Sequence, residues 1–172
     1  MYRRPRFLHL LLALTPLCAC AVTHNHASPS PATAFARGQV ALHAQQYAQA
    51  VAWFERAVHL EARNAAYHLW LGRAYGHQAR QASAGEQFFL ARKVRRHLEQ
   101  AVTLNPDSLA ARLDLMEYYL QAPSLLGGSP EKAHQQAAEI GNRDAQQGAL
   151  ARQRCQEVET QGSWGVLTEV GE

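Results

Sequence analysis

The chain has 172 residues, with 17 Lys and Arg against 14 Asp and Glu and a formal net charge of +3. The excess is local: Arg3, Arg4 and Arg6 stand at the start, and the other 14 basic side chains balance the 14 acidic ones. A neutral body carries none of the basic stripe that marks nucleic-acid binding, and the 153 residues from Cys20 onward fit one domain.

The arginines at the start precede an almost wholly apolar run from Phe7 to Leu17, and small residues follow at Ala19 and Ala21. A charged n-region, a short h-region and a small-residue cleavage zone make an export signal. A spanning helix would need about 20 apolar residues, more than this run holds. Leu17-Cys18-Ala19-Cys20 resembles the lipobox of bacterial lipoproteins, in which a small residue precedes the cysteine that is acylated and becomes the new N-terminus. Cys20 fits that role better than Cys18, which follows bulky Leu17. The resemblance implies residues 1–19 as signal and a diacylated Cys20 as membrane anchor, two chains being enough for stable attachment. Ala21, in place of aspartate, points to the outer membrane, facing the periplasm. Cys155 is then the remaining thiol, and its surroundings read as helix, where a buried small apolar side chain is its expected role.

Thr23 to Pro31 has no large apolar side chain, so residues 20–30 read as a flexible tether. Ser30-Pro31 supplies an N-cap followed by proline at the first helical position. From there to residue 161 the composition is helical throughout, with helices expected over Ala32 to Ala44, Tyr47 to Leu60, from Ala65, over Gly85 to Leu104, and from Leu109. Pro106 blocks the fourth of these from continuing. The stretch Gln121 to Gly128 is a lengthened turn. Ser129-Pro130-Glu131 restarts a helix through Ala133, Ala137 and Ile140, which Gly141 or Asn142 closes. Arg143 to Thr160 is a last, polar helix, and residues 162–172 form a tail with Trp164, Val166 and Leu167.

Gly38 and Gly72, His43 and His77, Ala50 and Ala84, Phe54 and Phe88, and Ala57 and Ala91 are each 34 residues apart. Leu71-Gly72-x-x-Tyr75, Ala50-x-x-x-Phe54 and Ala84-x-x-x-Phe88, at that period, resemble the tetratricopeptide repeat. Ala101-x-x-Leu104-x-Pro106 resembles the ending of such a repeat. Val94, Leu98 and Ala101 fit the second-helix pattern as well, ten residues late, and because ten residues are close to three helical turns both registers are expected to hold at once in one long fourth helix. The resemblance implies an all-α, TPR-like α-solenoid of about three helix-turn-helix repeats plus a C-terminal capping helix. Phe54, Leu71, Tyr75 and Phe88 are its expected packing residues.

The resemblance also implies a concave face built by the first helices of the repeats. Gln39, His43, Arg73, His77, Asp114, Glu117 and Gln121 are the expected partner-binding residues, with Trp70 near the wall. They run from basic and neutral in the first two repeats to acidic in the third, and lack the lysine and asparagine set that clamps a C-terminal carboxylate. His59, His68, His97 and His134 sit singly in helices and read as surface or packing residues, while His24 and His26 lie in the tether. No metal pattern, P-loop, dinucleotide fingerprint or nucleophile elbow occurs, so neither cofactor nor enzyme activity is expected. The expected function is a membrane-anchored protein-protein interaction module, an adaptor or scaffold for envelope, pilus, secretion or cell-wall machinery. The rival is a periplasmic small-ligand or metal-binding protein that uses its histidines, which metal-dependent thermal stability would reveal.

Overall fold

In the computed structural model the described residues are 29–160. They form seven α-helices and no strand: α1 (Pro31–His43), α2 (Tyr47–Leu60), α3 (Ala65–Ala79), α4 (Ala84–Leu104), α5 (Leu109–Gln121), α6 (Pro130–Gly141) and α7 (Ala145–Thr160), with a 3₁₀ turn at Ser124–Leu126 between α5 and α6. The expected signal, the expected tether up to residue 28 and residues 161–172 lie outside them.

Local chemistry sets the ends. Ser30 and Ser129 each precede a proline at the first helical position and accept a hydrogen bond from the backbone N–H of Thr33 (3.1 Å) and Lys132 (3.2 Å). Asn64 and Ser108 accept likewise from Ala66 and Ala111. The last helix begins two residues later than Arg143, because the Asp144 carboxylate accepts from Gln147 N at 2.9 Å and acts as its cap.

Each helix packs chiefly against its neighbours in sequence, α1 on α2, α3 on α4 and α5 on α6, with α2–α3, α4–α5 and α6–α7 joining the pairs. Small residues let the partners approach. A methyl group on Gly38 would stand 2.6 Å from the Phe54 ring, and one on Gly72 would meet Leu98 at 3.0 Å. Ala34, Ala50, Ala57, Ala74, Ala101, Ala133 and Ala137 are all completely buried.

These contacts decide between the two registers of α4. Phe54 opposite Gly38 corresponds to Leu98 opposite Gly72, so the equivalents of Ala50, Phe54 and Ala57 are Val94, Leu98 and Ala101, all buried. The 34-residue register, with Phe88 in the core, is corrected. α3 ends at Ala79 and offers nothing against the start of α4, which projects past the solenoid with Ala84 exposed, Phe88 half-buried and Phe89 66% exposed. The pattern continues into α6, where Ala133, Ala137 and Ile140 take the same places, all fully buried. Leu71 and Tyr75 are core residues as expected.

Tyr75 and Tyr119 add a second repeated device. The Tyr75 hydroxyl donates to Glu55 on the preceding helix, and Tyr119 donates to Glu99 at 3.0 Å, the same twenty-residue step. Lys93 and Lys132 lie over these two rings, 4.7 and 5.5 Å from the centroids. Burial first, then the carboxylate, pushes both phenols above their ordinary range.

Phe54→Ala is expected to cost about 3–5 kcal/mol, whereas Phe88→Ala should cost under about 1 kcal/mol, in the range of surface changes. Gly38→Ala should destabilise through the Phe54 clash, while Gly76→Ala, with nothing within 4 Å of the added methyl, should be neutral or stabilise by up to about 1 kcal/mol through helix propensity. Urea unfolding of the four variants reads all of these.

Candidate functional site: a groove across the first helices

α3, α5 and α7 lie side by side, laced by ion pairs. Arg73 on α3 donates to Asp114 on α5 from Nε (2.5 Å) and Nη2 (3.3 Å). Glu117 on α5 accepts from Arg154 on α7 at 2.7 and 3.3 Å and from Gln121 at 2.5 Å. Those hydrogen bonds, Arg154 first, hold the Glu117 carboxyl below its ordinary range. Trp70, packed on Phe35 and Phe54, presents its ring to the Arg73 guanidinium at 5.1 Å and so fixes its direction.

Above this lacing opens a groove of about 880 Å³. Arg73, His77, Asp114, Glu117 and Gln121, all expected there, line it together. Gln39 and His43 lie on α1, outside its lining, with His43 exposed. The charge gradient expected along the groove is largely cancelled, because both acidic groups are paired with arginines. His77 stacks on Tyr47 with centroids 5.0 Å apart and accepts from Arg80 at 2.8 Å. Desolvation, then Arg80, lowers its pKa.

Other parts of the lining were not named from the sequence. The projecting start of α4 supplies Gln87, Ala91 and Val94, and the turn after α5 supplies Pro123 and Leu126. That turn is held by the Tyr118 hydroxyl donating to Leu126 O (2.9 Å) and by Gly127 at φ 88°, a left-handed conformation that suits glycine. Arg154 was missed because α7 reads as a plain cap. Its placement beside α5, which Ala151 and Cys155 secure by burial, makes it a further first helix.

His68 and His97 do not sit singly. Both are buried, and their Nδ1 atoms are 3.0 Å apart. His68 Nε2–H donates to Ala62 O at 3.0 Å, which leaves His68 Nδ1 bare, so His97 Nδ1–H donates to it and His97 Nε2 accepts from Arg96 at 3.3 Å. The chain of bonds is complete with both rings neutral and leaves no ring nitrogen without a partner. His134, on α6, meets Glu159 at 2.9 Å. Among the described residues no three His, Cys, Asp or Glu side chains are grouped to hold a metal.

No protein-family model matches this chain. No curated protein matches it either. Among solved structures it is similar to the Arabidopsis OM64 TPR domain, at 15% identity and a TM-score of 0.59, over 74% of this chain and 95% of that one. The described residues therefore have the fold of a TPR-like α-solenoid.

Burial, then Arg96, His68 and Lys93, push His97 down to about 4; the Tyr75 ring stacks on its other side at 5.7 Å. An unfolded chain takes up this proton near 6.5, the folded one only near 4. The His97 contribution is thus complete above pH 6.5 and is lost as the pH falls through that window, on the order of 3 kcal/mol at ~1.4 kcal/mol per pH unit. Urea midpoints should fall steadily from pH 7 to 5, before ordinary carboxylates titrate, and His97→Gln should flatten that slope whatever its absolute stability. A flat wild-type profile would contradict the neutral pair.

Proposed function

We propose that this chain is a membrane-anchored protein-interaction module that holds a peptide or helix of a partner in the groove between α3, α4 and α5. The observation that carries the reading is the lacing of the groove. Arg73–Asp114 and Glu117–Arg154 fix neighbouring first helices at two levels, and the surface they support mixes small residues, an arginine backed by Trp70, and apolar walls. An arginine in a groove, held in place by the Trp70 ring behind it, is the kind of rigid anchor found at binding hot spots. Ligand specificity is best served when such anchors are already ordered before binding. An adaptor or scaffold in envelope, pilus, secretion or cell-wall machinery suits this arrangement, and no catalytic role is proposed for it.

Replacing Arg73 and Glu117 together with glutamine should weaken capture of native partners from detergent-solubilised envelope by tenfold or more, about 1.4 kcal/mol. The ion pairs are about one-third exposed and each contributes only about 0–1 kcal/mol to folding, so helix content should survive. Exposed arginines of the second helices, Arg56 and Arg92, are the controls; Glu55 does not serve, because it accepts from Tyr75. If the control pair abolishes capture and the groove pair does nothing, the partner uses the other face.

The anchor belongs to the same proposal. Lipidation of Cys20 follows from the Leu17-Cys18-Ala19-Cys20 string, with delivery to the outer membrane. Mass spectrometry of the mature N-terminus should find an acylated Cys20, and Cys20→Ser should move the protein out of the membrane fraction. An unmodified N-terminus elsewhere, or a serine variant still bound to membranes, refutes it.

A further inference from the structure

We propose that residues 161–172 of this same chain occupy the groove and that a partner must displace them. The inference rests on the groove being a peptide site, and three observations carry it further.

The first is where α7 ends. Arg143, just before α7, bonds Asp107, just before α5, at 2.9 Å, and Arg154 bonds Glu117 at 2.7 Å. Two contacts advancing together along both helices make α7 parallel to α5. Thr160 lies six residues past Arg154, about 9 Å at 1.5 Å per residue, which brings it level with the end of α5 at the groove rim. The second is reach. Twelve residues follow Thr160 and span up to about 40 Å when extended. Neighbouring helices are about 8–10 Å apart, so α3 lies about 20 Å from α7 and within range.

The third is chemistry. The segment reads Gln161-Gly-Ser-Trp164-Gly-Val166-Leu167-Thr-Glu169-Val170-Gly-Glu172, four apolar anchors with two carboxylates spaced among glycines. The groove offers apolar walls at Ala91, Val94 and Leu126 and an open floor at Gly76, where an added methyl meets nothing within 4 Å. Its carboxylates are already neutralised by Arg73 and Arg154. Arg80, at the far rim on the C-terminal end of α3, has no carboxylate within 4.0 Å among the described residues. Trp164 lies four residues past Thr160, so about 13 Å of extended chain brings the α5 wall within its reach. Glu169 then comes within range of Arg80, at about 30 Å of chain.

The test uses the full mature chain. With p-benzoylphenylalanine in place of Trp164, irradiation at dilute concentration should give an intramolecular adduct on α4 or on the Pro123–Leu126 wall, found by peptide mass spectrometry. Gly76→Trp, at a lining position where an added Cβ meets nothing within 4 Å, should abolish that adduct. A fluorescein-labelled peptide of residues 161–172 should bind the Trp164→Ala, Leu167→Ala chain at least tenfold more tightly than wild type, whose own segment competes. Adducts elsewhere on the chain, no adduct, or adducts between two chains overturn the proposal, the last in favour of a second copy as occupant. Equal peptide binding by both chains, or binding by neither, overturns it too. If it fails while the Arg73, Glu117 variant still loses partner capture, the groove stands as a partner site without an internal occupant.

Discussion

Close approach between antiparallel helices is the constraint on which the rest of this molecule depends. Gly38 faces Phe54 at a distance that leaves no room for a methyl group, Gly72 faces Leu98 where a methyl would be tight, and the fully buried alanines keep the other contacts short. Because each helix pair leaves an apolar face uncovered, the pairs must stack. The interlocking of Ala50, Phe54 and Ala57 with their counterparts in α4 and α6 fixes how they do so. Polar devices refine the stacking. The tyrosine-to-glutamate step recurs at Tyr75 and Tyr119, and in α7 the corresponding place is Cys155, small and buried where no further repeat follows among the described residues.

From that stacking the groove follows without any specialised element. First helices brought side by side expose one row of side chains each, and their charges neutralise one another across the helix boundaries. What distinguishes this solenoid is the length added on one edge. About ten residues inserted between α3 and the packed part of α4, and the eight-residue turn after α5, raise two walls beside the first helices. The buried His68–His97 pair sits away from the groove lining and ties α3 to α4, with His97 neutral so that its Nε2 can accept from Arg96. Its effect is on the stability of the scaffold that the groove needs.

Much of this was legible in the sequence, since caps, prolines and the Gly-x-x-Tyr spacing are local signals. Ser30-Pro31 and Ser129-Pro130 mark helix starts, and Pro106 marks a stop. The misplacement of Phe88 has a physical origin. An insertion near three helical turns in length preserves the inward face, so periodicity alone cannot say which of two equivalent stretches has a helix opposite it. Only the end of α3 at Ala79 decides. The histidine pair was illegible because His68 and His97, 29 residues apart, meet only through antiparallel packing. Arg154 was likewise hidden, as pairing across α5 and α7 depends on which way the last helix runs.

The claim that the groove holds a partner is tested most directly by footprinting at its floor. Gly76→Cys places a thiol where the structure leaves open space, and its rate of maleimide modification can be read with and without saturating captured partner. The account predicts that the partner slows modification at position 76 at least tenfold, and leaves an Arg56→Cys thiol on the second-helix face unaffected. Unchanged modification at 76 with protection at 56 would contradict it.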